Sequence, residues 1–173
     1  MLDSVNIAGV VGKHIAGFRD LNTRKVRRRD IFLHYFIPLI CGIAWWLLGP
    51  ATSGLGNLVA GLAVLTGLFL GLLVYVFELR LNLAERVNYQ RSTTLVGLVD
   101  ALFHNTVYAT LAGGLTTVAA VLADLLQLTD GWPIGIVIAL SAHLALTTLL
   151  ILRRASAAYV ELVKDKKRSA LHQ

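Results

Sequence analysis

The chain has 173 residues, of which 56% are hydrophobic and 15% charged, against roughly 45 to 50% and about 25% in ordinary globular domains. That balance excludes a solvated globule, and the length leaves no room for a soluble catalytic domain beside a membrane bundle. The formal net charge of +6 is no sign of nucleic-acid binding, because basic residues beside apolar spans fix orientation and meet anionic headgroups.

All sixteen Lys and Arg residues fall in three blocks, residues 1 to 30, 78 to 100 and 153 to 173. The apolar stretches between them predict an all-α polytopic membrane protein crossing a bilayer four times. The positive-inside rule places both ends in the cytoplasm, with Arg27, Arg28, Arg29, Arg153 and Arg154 as the orienting cations. The organisation expected is a cytoplasmic N-terminal segment (1–30), a four-helix transmembrane bundle (31–152) and a basic tail (153–173).

Residues 1–18 are weakly amphipathic, with Leu2, Val5, Val11, Ile15 and Phe18 at near-helical spacing, as in a helix lying on the inner leaflet. The first span, 31–48, carries Tyr35 and Phe36 near its inner end and Trp45 and Trp46 near its outer end. Pro38 should kink it unless a neighbour satisfies the freed carbonyl. His34 reads as an interfacial histidine able to meet a headgroup, and Cys41 as a small buried apolar side chain. A turn-rich link, 49–54, leads to the second span, 57–77, where Ala63, Gly67 and Gly71 repeat at four-residue spacing. In lipid such a stripe permits close helix approach, so it is a candidate for homo-oligomer packing.

Residues 78–94 contain no Pro or Gly and should extend the second helix beyond the membrane. The third span, 95–122, holds Asp100, His104, Asn105 and Tyr108, and its Ala109 and Gly113 continue the small-residue pattern as further oligomer contacts. Gly131-Trp132-Pro133 marks the start of the fourth span, 134–152, which carries His143 and Thr147. His104 and His143 lie equally far from the expected inner ends of antiparallel helices, so they are expected to face one another. Asp100 is expected to be accommodated by Arg86 or Arg91 near the inner interface.

An ionisable group inside a span is a functional hypothesis by default. The set Asp100, His104, Asn105, Tyr108, His143 and Thr147 can serve as interhelical glue or as a conduction path. Haem or metal ligation by the two histidines ranks third, and no cofactor is expected. No HExxH, CxxC, GxSxG or Walker pattern is present, so the chain reads as non-enzymatic, without catalytic or metal-binding residues.

The run Leu102-Phe103-His104-Asn105-Thr106-Val107-Tyr108-Ala109, with Leu152-Arg153-Arg154 and Tyr159, resembles small four-span bacterial membrane proteins encoded near anti-phage defence genes. The resemblance implies a bacterial inner-membrane effector or partner subunit, homo-oligomeric, working beside a cytoplasmic protein. A small ion channel or proton-coupled transporter is the alternative. The expected partners are the lipid bilayer, further copies of the chain and that cytoplasmic protein, with no nucleic acid.

Overall fold

Apolar runs this long form helices because a helix satisfies every backbone polar group internally. In the computed structural model, residues 12, 28–50, 55–85, 93–128 and 130–170 are described. The amphipathic segment 1–18, Arg27, Arg86 and Arg91 therefore lie outside the described residues, apart from Gly12. Four helices follow one another: α1 (Arg28–Leu48), α2 (Leu55–Glu85), α3 (Thr93–Leu125) and α4 (Gly131–Ala170). Each is long and apolar enough to cross a bilayer, over Ile31–Leu48, Leu55–Asn82, Val96–Leu125 and Gly131–Glu161. The architecture is all-helical and polytopic.

Two helices overrun the expected spans. α2 continues unbroken to Glu85, and α4 passes Arg153 and Arg154 without interruption to Ala170. At 1.5 Å per residue α4 is about 60 Å long, roughly twice the hydrocarbon thickness. Charge ends a membrane span but does not end a helix.

The helices stand in an open row, α1–α4–α3–α2. α1 packs on α4, α4 on α3 and α3 on α2, while the remaining pairs meet marginally at most. A third of the apolar window of α3 and of α4 is buried, against 17% for α1 and α2, so the last two helices form the centre and the first two the flanks.

Two packing rules operate. On α2 the buried residues recur every seven positions, Leu55, Leu62, Phe69 and Val76. α4 does the same with Val137, Leu144, Ile151 and Ala158. α3 carries two such stripes, one through Val99, Thr106, Gly113 and Ala120 and one through Leu102, Ala109, Thr116 and Ala123, as a helix covered on two sides requires. Seven-residue spacing is the signature of left-handed, knobs-into-holes packing.

The α1–α4 contact instead uses four-residue ladders: His34, Pro38 and Gly42 on α1, and Gly135, Ala139, His143 and Thr147 on α4. A Cβ on Gly42 would lie 2.6 Å from the Gly135 carbonyl oxygen and 2.8 Å from Ala139 Cβ, and one on Gly135 would lie 2.8 Å from the Gly42 oxygen. The two backbones touch there.

α3 ends in a Schellman motif, with Leu128 N–H donating to Ala123 and Gln127 N–H to Asp124. Gln127 takes the left-handed conformation that glycine usually fills, φ 51°. Pro133 sits in the first turn of α4, where its missing N–H has no helical partner.

Candidate functional site: the His34–His143 junction

Pro38 is the local cause of the site. It lies inside α1, and lacking an N–H it cannot bond the carbonyl four residues back, which belongs to His34. In lipid an orphaned carbonyl is costly, and no water is at hand to satisfy it. His143, on α4, faces that turn with its ring 4.8 Å from the His34 ring, which makes its N–H the donor placed to answer the carbonyl.

The rest of the network follows from donor counting. His143 Nε2 lies 2.8 Å from the Tyr108 hydroxyl on α3. With Nδ1–H donating to His34, Nε2 accepts and Tyr108 donates. The Tyr35 side chain lies beside Tyr108. The Thr147 hydroxyl donates its one hydrogen to the His143 carbonyl at 2.9 Å, so in its 3.3 Å contact with His34 Nε2 it accepts.

Rings close the remaining space. His143 sits edge-on to His34 at 4.8 Å and stacks on Tyr35 at 5.2 Å. His34 is buried, Thr147 fully so. Three helices are thus pinned together by the contacts among His34, Tyr35, Tyr108, His143 and Thr147.

The residues expected to act together divide between two places. Tyr108, His143 and Thr147 belong to the junction, and Asn105, one turn from Tyr108 on α3, is fully buried. Asp100 instead pairs with Arg80 of α2, through Nε and Oδ1. The expected partners of Asp100, Arg86 and Arg91, lie outside the described residues. His104 donates from Nδ1 to the Asp100 carbonyl of its own helix at 2.6 Å and lies edge-on to Phe103.

No hydrogen bond or ring contact joins His104 to His143 among the described residues, so their expected opposition is corrected. The reason is register. Tyr108 meets His143, and Ala101 accepts from Arg154 at 3.4 Å, which places His104 about one turn nearer the Arg154 end of the bundle than His143. The helix ends used to gauge depth are not level, because α3 starts and α4 continues well inside Leu152. In addition the series 100, 104, 108 rotates by about 40° per step, enough to turn Asp100 toward α2 and Tyr108 toward α4.

Sequence reasoning missed His34 and Tyr35 as members of the site. The signal was Pro38: the residue four positions before a proline in a membrane helix exposes a carbonyl, and the facing helix must answer it. Cys41, expected to be buried, is exposed on α1, because the packed ladder 34, 38, 42 leaves position 41 turned outward.

Eight Ser and Thr hydroxyls of these helices donate to the carbonyl four residues back: Thr66, Thr106, Thr110, Thr116, Thr117, Ser141, Thr147 and Thr148. Without water, the local carbonyl is the nearest acceptor. Thr66 also reaches Thr117 across the α2–α3 contact at 3.4 Å.

The Arg80–Asp100 pair is half-exposed, where screening and side-chain entropy leave little net gain. Arg80→Gln should therefore lower stability by less than about 1 kcal/mol in a detergent unfolding titration. A larger loss would show that the pair is desolvated in place.

The described residues contain no group of three or more His, Cys, Asp or Glu side chains able to hold a metal ion. What the fold and junction define is a multi-pass, four-helix membrane architecture with a buried polar knot between α1, α3 and α4. No protein-family model, curated protein or solved structure matches the chain.

Proposed function

We propose that this is a non-enzymatic multi-pass protein of the bacterial inner membrane that self-associates through α2 and serves as an effector or partner subunit beside a cytoplasmic protein. Both termini lie in the cytoplasm in this reading. Trp46 packs near Gly135 and so shares an end with Trp132, while Arg80, Arg153 and Arg154 cluster at the other. The end that gathers the cations is the one the positive-inside rule assigns to the cytoplasm, and the two Trp side chains suit the other interface.

The observation that carries the proposal is the free face of α2. Ala63, Gly67 and Gly71 are exposed, and nothing lies within 4 Å of a Cβ added at either glycine. Exposed Val64, Leu68, Val74 and Tyr75 flank them. α2 ends the row with only α3 as a packed neighbour, so a second copy can approach closely along this stripe. Ala109 and Gly113 are withdrawn from that role: both are buried, and Gly113 meets Thr66 inside the chain. The resemblance to defence-associated proteins supplies the biological setting, with altered permeability or recruitment as the output.

The residues named for a conduction path through spans three and four are divided, Asp100 pairing with Arg80 and His104 bonding its own helix while Tyr108 and His143 bond each other, which weighs against such a path. Gly67→Ile with Gly71→Ile should shift the protein to smaller species in native mass spectrometry while leaving the unfolding midpoint of the monomer unchanged. An unaltered oligomer would remove α2 as the interface.

A further inference from the structure

The α1–α4 pair is not equally tight along its length. At Gly42 and Gly135 the backbones touch, but toward the basic end the ladder turns to His34, Pro38, His143 and Thr147, whose rings and branches hold the helices apart. A groove of about 270 Å³ opens there. Its walls are Leu33, Ile37, Leu146 and Leu150, with His34 buried in its floor. Arg153 stands at the rim.

Arg153 differs from its neighbour. Arg154 reaches across to the Ala101 carbonyl, whereas no described carboxylate pairs with Arg153. The two guanidinium groups repel one another. An anion at Arg153 would relieve that repulsion, and apolar walls directly beside it suit the chain of an amphiphile. Leu33 and Leu149 line the groove and are exposed, so it opens sideways onto the surface that faces lipid rather than onto water. The volume is near the lower end for small-molecule sites, roughly 300 to 1,000 Å³, and suits one acyl segment better than a soluble metabolite.

We propose that this groove is a binding site for a single acidic phospholipid, its phosphate on Arg153 and one acyl chain lying between α1 and α4. Basic pockets between helices at the cytoplasmic face are suited to such headgroups. This goes beyond self-association through α2, which lies at the opposite end of the row.

The test is lipid retention by the purified full-length protein in native mass spectrometry, with phosphatidylglycerol, phosphatidylcholine or inorganic phosphate added. Phosphatidylglycerol should be retained in preference to phosphatidylcholine, and inorganic phosphate should not displace it. Arg153→Gln, at an exposed position, should weaken phosphatidylglycerol binding about fivefold, from roughly 1 kcal/mol per cation near the surface. Leu149→Trp should also reduce retention by filling the groove, with Arg153 intact. Lys164→Gln removes an equal charge about 16 Å further along α4, where Lys164 pairs with Glu161, and should leave retention unchanged. Equal losses in the Arg153 and Lys164 variants, indifference to Leu149→Trp, or displacement by inorganic phosphate would each overturn the site.

Discussion

Valine at Gly42 should separate α1 from α4 and lower stability by about 3 kcal/mol, the upper part of the range for overpacking. A single added Cβ at this position falls 2.6 Å from a backbone oxygen and 2.8 Å from another Cβ. Neither can rotate away, because one is main chain and the other is the whole of an alanine side chain. α1 packs substantially on α4 alone, so relief by movement means losing that contact as a unit, together with the hydrogen bonds of His34. Valine at Gly67 or Gly71 meets open space within the chain, so in a detergent that keeps the protein monomeric it should stay within about 0.5 kcal/mol of the parent, as surface substitutions do. Unfolding midpoints of the three variants in one detergent settle the comparison. A Gly42 variant as stable as the Gly67 variant would show that α1 and α4 are not in backbone contact.

Much of this fold was legible because lipid imposes few alternatives. Apolar length dictated four helices, separated by links rich in turn residues. The order of the row was not legible, since neighbours in sequence need not pack when each helix can present an apolar face anywhere in lipid. The four-residue spacing was read on Ala63, Gly67 and Gly71 of α2, and the same spacing on α1 and α4 went unread. Ala63, Gly67 and Gly71 advertise it with small residues but face outward, whereas α1 and α4 use it with one glycine each and larger groups elsewhere on the ladder.

The same limit governs the polar site. Asp100, His104 and Tyr108 share a nominal face, yet 40° of drift per step gives them different neighbours. His34 could not be assigned to the interior from its nearness to a basic run, because that run continues the helix instead of ending it. Depth counted from charges misled for α3 and α4 for that reason. Depth counted from Pro38 would have found the junction.

His143→Ala should lower stability by about 2 to 3 kcal/mol, given two interhelical bonds at roughly 0.6 to 2 kcal/mol each and the lost ring contacts. It removes the donor to the His34 carbonyl and the acceptor for Tyr108 in one step. The sharper consequence is its coupling to Pro38. If His143 is there to answer the carbonyl that proline leaves bare, then restoring the backbone N–H should make the histidine partly dispensable. Pro38→Ala in the His143→Ala background should therefore recover about 1 kcal/mol, because His34 regains a partner from its own helix. In the parent background the same substitution should gain less, since the carbonyl is already satisfied. The four unfolding free energies form a double-mutant cycle, and additivity within error would sink the account. The cycle also separates the junction from a conduction path: a relay through His143 predicts altered flux in liposomes that Pro38→Ala cannot restore, whereas a structural knot predicts that stability and the intact α1–α4 contact return together.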